Sequence, residues 1–143
     1  MNAEIATHVV NKDLLDKFAT DSLSMPQVKC HTEHYFGPNI YIREIVIPAG
    51  HVIVGKSHKV DHLCSMIEGK MIVVNADGVR KELTAPAVFV AGKGRKMAYI
   101  VETVRFQNIF STSETDIEKL ETMFVEEVDC VQESDTPSMI REN

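Results

Sequence analysis

The sequence has no tryptophan, and aromatic residues make up only 6% of its 143 residues. A core must therefore be built mainly from valine, isoleucine, leucine and methionine, in what this length indicates is a single domain. No apolar run approaches the roughly 20 residues of a membrane-spanning helix. The first ten residues, MNAEIATHVV, lack the basic and apolar regions of a signal peptide. These absences predict a cytoplasmic protein that does not bind membranes.

Cysteine is scarce, and the chain has fewer basic than acidic residues, 15 against 21. Cys30, Cys64 and Cys130 are odd in number and far apart, which indicates neither a disulfide framework nor a zinc knuckle. The net charge of −6 is unevenly spread, because residues 114–143 carry ten acidic and two basic side chains. Binding to a nucleic-acid polymer requires a concentrated basic surface. We therefore expect no such partner.

Turn residues divide the middle of the chain into short β-type segments. Gly-, Pro- and Asn-rich turns separate apolar runs, and Asp77-Gly78 is the strongest hairpin signal. The predicted strands are 28–34, 40–47, 51–55, 62–67, 70–75, 79–83, 87–90, 97–101 and 104–110. Asn11 is the predicted N-cap of a helix over 12–19, and helical spacing returns from Ile117 to about Glu127. We divide the chain into a helix and lead-in (1–29), a β domain with its C-terminal helix (30–127), and an acidic, poorly packed tail (128–143).

Two histidines lie four residues apart within this β pattern. If residues 58–66 form one strand, His58, His62, Cys64 and Met66 share a face. Imidazoles on a rigid strand can bind a metal, a proton or an anion. A metal such as zinc, iron, nickel or manganese needs three or four ligands, for which His51 or Glu44 are candidates. The alternative is that both histidines are hydrogen-bonded pocket residues without metal.

Two blocks of the sequence resemble the conserved motifs of the cupins. PAGHVIVGKSHKVDHLCSMIEGKMIV is similar to the first motif and APAVFVAGKGRKMAYIVE to the second. NIFSTSETDIEKLE is similar to the ending of small phage and prophage cupins. The resemblance covers about residues 30–127 and implies an all-β double-stranded β-helix, a jelly-roll barrel with a central cavity. Cupin motifs supply three His and one Glu to a divalent metal. With Gly69 as the closing glycine, His58 and His62 occupy two of these four positions.

The resemblance also places two loops at one mouth of the barrel. These loops carry five cations, which together with the imidazoles suit an anionic ligand. Tyr99 offers a hydroxyl to the same pocket. The predicted ligand-binding residues are therefore His58, His62, Lys56, Lys93, Arg95, Lys96 and Tyr99, with Lys59 as the fifth cation. The alternative for the cations is a solvated loop.

We therefore predict a protein that binds a small, anionic, nucleotide-like ligand in the barrel. No catalytic residue is assigned, and enzymatic activity stays open with a non-catalytic role favoured. One alternative is a metal-dependent isomerase or oxygenase that uses His58 and His62. A second alternative is an interaction module with a vestigial cavity. The resemblance to small cupins further implies a homodimer.

Overall fold

The computed structural model describes residues 11–25 and 27–125, which form a curled antiparallel sheet with two flanking helices. Helix α1 spans Lys12–Asp21 and continues into a 3₁₀ turn, Ser22–Ser24, and helix α2 spans Ile117–Phe124. The seven strands are β1 (His31–Gly37), β2 (Ile40–Ile47), β3 (Val52–Val54), β4 (His62–Asn75), β5 (Arg80–Thr84), β6 (Ala87–Ala91) and β7 (Lys96–Ser111).

The long strands β4 and β7 form the centre of the sheet. The strand order is β1-β2-β7-β4-β5, with β3 also paired to β7 and β6 also paired to β4. The first half of β4 pairs with β6 and its second half with β5. In the same way, β7 pairs with β3 near its start and with β2 near its end. Each long strand therefore forms part of both halves of a jelly-roll barrel. This architecture confirms the predicted all-β class.

A bend near Gly69 lets β4 pass from one half of the barrel to the other. Gly69 has φ +94°, and the pairing of β4 with β7 shifts register between Met66 and Met71. The prediction of two separate strands, 62–67 and 70–75, was wrong because Glu68-Gly69 bends the chain without reversing it. The predicted strands 97–101 and 104–110 are likewise one strand, β7. By contrast, the Asp77-Gly78 hairpin between β4 and β5 is confirmed.

The core lies inside the barrel, and part of it also forms the wall of a cavity. Its main cluster consists of aliphatic and sulfur-containing side chains: Ile45, Ile47, Ile53, Met66, Met71, Ala98, Ile100 and Val104. A second cluster joins Tyr41, Phe110 and Leu120, with Phe124 packed against it, so α2 is fixed to the barrel by its apolar face. Helix α1 begins at Asn11 as predicted, because the Asn11 side chain accepts a hydrogen bond from the Leu14 N–H.

Neither helix in the described part of the chain is long and apolar enough to cross a bilayer. The predicted acidic tail, 128–143, lies outside the described residues.

Candidate functional site

A cavity of about 110 Å³ lies inside the barrel. Most of its wall is apolar and comes from strands on both halves of the barrel: Ile45, Ile47, Ile53, Met71, Val73, Leu83, Phe89, Ala91, Ala98 and Phe106. Polar side chains also line the wall, namely Lys56, His58, His62, Cys64, Lys96 and Asn108. The cavity therefore offers an apolar body together with groups that can bind a polar head.

His62, Cys64 and Asn108 form a hydrogen-bonded cluster in the wall. Residues 62, 64 and 66 of β4 point inward and are buried, as the predicted strand face requires. Nε2 of His62 lies 2.8 Å from Oδ1 of Asn108, and the Cys64 thiol donates to the same oxygen at 3.6 Å. Asn108 therefore orients both side chains. Cys64 is 1% exposed, and a buried thiol is not favoured as a nucleophile.

His58 lies outside β4 but its imidazole reaches the same site. Its backbone forms isolated bridges to Gly94 and Val125, so the prediction of one strand through residues 58–66 was wrong. The ring centroids of His58 and His62 are nevertheless 4.6 Å apart. Phe110 stacks on His62 at 4.7 Å and on Phe124 at 4.2 Å. The two histidines are thus held together by aromatic packing at one end of the cavity.

Two of the predicted cations are buried in ion pairs with the helices. Lys56 Nζ lies 2.5 Å from the Glu121 carboxylate of α2. The Arg95 guanidinium lies 2.8 Å from Asp16 of α1 and also donates to the Gly55 carbonyl at 2.8 Å. These contacts tie both helices to the barrel. They also neutralise two of the five cations that we predicted at the anion-binding mouth of the barrel.

The other predicted site residues divide between the cavity and the surface. Lys96 lines the cavity, and its ammonium donates to the Gly92 carbonyl. Lys93 is exposed, and its backbone N–H donates to Asp61. Tyr99 is 46% exposed because Ala98 and Ile100 take the inward positions of β7. Its outward orientation corrects the expectation that its hydroxyl lines the pocket.

The donor set does not fit the metal centre that the cupin motifs imply. Among the described residues, no group of three or more His, Cys, Asp and Glu side chains could hold a metal ion. Of the two candidate third ligands, Glu44 is engaged by Arg105 and Gln107. The other, His51, bonds the Pro48 carbonyl through Nδ1. Within residues 11–25 and 27–125, His58 and His62 thus have no third metal ligand near them.

Asn108 and Glu121 are site residues that the sequence did not identify. Asn108 shares the inward face of β7 with Phe106 and Phe110, and a polar residue among inward apolar positions is a usable signal. Glu121 lies in the predicted helix, but nothing in its local sequence predicts its ion pair with Lys56, which is 65 residues away.

A second polar contact lies on the inner side of β1 and β2. His34 Nδ1 is 2.7 Å from the Tyr41 hydroxyl. Burial raises the pKa of Tyr41 to about 12, so this hydroxyl stays protonated and donates to His34. Burial, with the nearby charge of Arg43, lowers the pKa of His34. The pair therefore favours a neutral imidazole.

Known proteins match this chain in structure. No family model matches the sequence, and no curated protein matches it. Protein NMB1881 of Neisseria meningitidis superposes with a TM-score of 0.51 at 14% identity, covering 65% of this chain and 95% of its own. KdgF of Halomonas sp. gives 0.50 at 17% identity, covering 62% of this chain and 84% of its own. EutQ of Clostridium difficile gives 0.50 at 16% identity, covering 66% and 76% respectively.

Solved cupin domains are also among the matching chains. The chain has the cupin jelly-roll fold, as its strand pairing indicates. At these identities the likeness establishes the fold and assigns no activity.

Proposed function

We propose that this cupin-fold protein binds a small organic anion in its barrel cavity. The apolar body of the ligand occupies the inner part of the cavity, and its carboxylate or phosphate head lies against His58 and His62. One observation carries the proposal: the ionisable side chains of the described cavity wall are two lysines, two histidines and a thiol, without a carboxylate. Because Glu121 compensates the charge of Lys56, Lys96 and the two imidazoles are the groups by which this wall favours an anion over a cation.

The size of the cavity limits the ligand further. A cavity of roughly 150 Å³ is known to hold benzene, and this one measures about 110 Å³. The part of a ligand that this cavity encloses is therefore smaller than benzene, and a whole nucleotide would enter only in part. We therefore favour a short organic acid over the nucleotide-like ligand. The phage-type subclass and the cytoplasmic location stay predictions.

Matched pairs of acids and alcohols test this function. We would titrate the protein with carboxylates of three to seven carbons, including benzoate, and with their alcohols, including benzyl alcohol, while recording NMR spectra. We expect a carboxylate to shift the signals of His62 and Asn108 and to bind at least fivefold tighter than its alcohol. Equal binding of acid and alcohol, or no shifts at the cavity with any acid, would contradict the proposal.

Histidine variants provide the control for this titration. His58→Asn removes an imidazole at the cavity, and we expect it to weaken carboxylate binding at least fivefold. His31→Asn makes the same substitution at an exposed position of β1, where His31 contacts Glu33. We expect this variant to bind within twofold of the wild type. Metal binding by His58 and His62 stays a separate prediction, which native mass spectrometry without chelator tests by a metal-sized mass excess.

A further inference from the structure

Lys56 is a buried cation in the wall of the cavity. It lines the cavity together with His58 and His62, and its ammonium forms an ion pair with the Glu121 carboxylate of α2. A buried charge whose partner is removed is strongly destabilised. Lys56 therefore requires an anion beside it, whether the cavity is empty or filled.

The two members of this ion pair differ in their access to water. The side chain of Glu121 is 23% exposed, whereas that of Lys56 is 6% exposed. The carboxylate can thus regain its hydration by moving outward, while the ammonium stays within the wall. If the carboxylate of a ligand takes its place, the buried charge of Lys56 remains paired. Exchange of one carboxylate for another avoids the cost of an unpaired lysine.

Helix α2 is held to the barrel by contacts at this same end of the cavity. The Lys59 ammonium donates to the Thr122 carbonyl and the Lys59 N–H to the Phe124 carbonyl, both at 2.8 Å. The Phe124 ring stacks on Phe110 with centroids 4.2 Å apart. A helix as short as α2 is not stable in water by itself. It therefore depends on its contacts with the barrel and should loosen when the Glu121 ion pair is lost.

We propose that Glu121 competes with the anionic ligand for Lys56, and that ligand binding thereby loosens α2. This competition rests on the proposed function, because it requires an anion in the cavity. The apparent Kd rises by the inverse of the fraction of the protein that is competent to bind. A Glu121 carboxylate that occupies Lys56 for about nine-tenths of the time would weaken anion binding about tenfold. Filling of the cavity is thus transmitted to a helix whose outer side is exposed.

Glu121→Gln tests the competition, because it removes the charge and keeps the size of the side chain. We expect this variant to bind benzoate at least threefold tighter than the wild type. An ion pair with a structural role alone predicts equal or weaker binding. Glu118→Gln makes the same change at an exposed position of α2 and should bind within twofold of the wild type. In a Lys56→Met background, Glu121→Gln should have no further effect, because the site of competition is gone.

Hydrogen exchange of the amides of residues 120–124 tests the loosening of α2. A bound ligand ordinarily stabilises the folded state and slows exchange. We expect saturating benzoate instead to accelerate exchange in α2 of the wild type at least threefold, while exchange in the strands slows. This measurement on the wild type does not depend on the folding of any variant.

The outcomes separate this proposal from the proposed function. Tighter binding by Glu121→Gln together with faster exchange in α2 of the benzoate-bound wild type would support the competition. If the wild type binds benzoate but Glu121→Gln binds it no tighter, or if benzoate does not accelerate exchange in α2, the competition is wrong and the proposed function stands. If neither protein binds benzoate or any other acid, both are overturned.

Discussion

At the scale of single residues, the burial of His34 makes the stability of the fold depend on pH. The pKa of His34 in the folded protein is lowered by burial, whereas the unfolded chain has the usual value of about 6.5. The unfolded state therefore binds the proton more readily. The contribution of His34 to stability is complete above about pH 6.5 and is lost as the pH falls through the folded-state pKa. NMR titration of the imidazole should give a midpoint below 6.5.

Tyr41→Phe is the matched variant for this prediction. It removes the hydroxyl that donates to Nδ1 and stabilises the neutral ring, while keeping the aromatic packing on Phe110. The pKa of His34 should therefore rise slightly, while burial and the Arg43 charge keep it below its usual value. A wild-type midpoint at or above 6.5 would show that burial does not lower the pKa of His34. A midpoint that Tyr41→Phe leaves unchanged would show that the hydroxyl adds nothing to this effect.

The sequence predicted the orientation of a side chain correctly where that orientation depends only on alternation within its own strand. Strand alternation places His62 and Cys64 on the same face, and both are buried at the cavity. Alternation alone could not show which face of β7 points inward, and Tyr99 was therefore misplaced. The contact of Asn108 with His62 depends on the register between β4 and β7, which local sequence does not specify.

At the scale of elements, the bend of β4 depends on the absence of a side chain at residue 69. A Cβ at Gly69 would lie 2.2 Å from the Thr103 carbonyl oxygen, and the backbone has positive φ. Gly69→Ala must move backbone as well as strain φ, so we expect it to cost about 2 kcal/mol or more. Urea unfolding would measure this cost.

Gly50→Ala is the control that separates the cost of the steric contact with Thr103 from the cost of a positive φ. Gly50 also has positive φ, at +84°, but a Cβ there would meet nothing within 4 Å. This variant should therefore lose only about 1 kcal/mol, the cost of an unfavourable φ alone. If the two variants are equally stable, the packing of Gly69 on Thr103 does not determine the bend. Gly69 was wrongly predicted as a turn between two strands, because a glycine in the sequence does not distinguish a bend within one strand from a hairpin.

At the scale of the whole molecule, an apolar row crosses five strands on the outer face of the barrel. Strand register aligns Val90, Leu63, Ile109, Ile42 and Tyr35 from β6 to β1. Val90 is 66% exposed and Leu63 is 42% exposed. With neighbouring strands about 4.8 Å apart, the row is about 19 Å long. A continuous apolar patch of this kind typically indicates a protein-binding surface.

The expected occupant of this row is a second copy of the chain. In a two-fold dimer the same surface meets itself, so apolar residues cover apolar residues. Beside the row, the Glu44 carboxylate is buried against Arg105 and Gln107, which reduces repulsion between two such faces. We therefore predict that the homodimer forms through this face. Light scattering after size exclusion should give twice the 16.0 kDa chain mass for the wild type.

Leu63→Glu should convert the dimer to a monomer, because each copy would place a carboxylate within the apolar row. Val101→Glu is the matched control, since Val101 is 38% exposed and β7 carries it beyond the row, toward β3. This variant should keep the dimer mass and unfold at a similar urea concentration. A wild-type monomer at 100 µM, or equal dissociation of both variants, would exclude this face as the interface. Covering the row leaves the cavity, lined by the opposite faces of the same strands, available to a ligand.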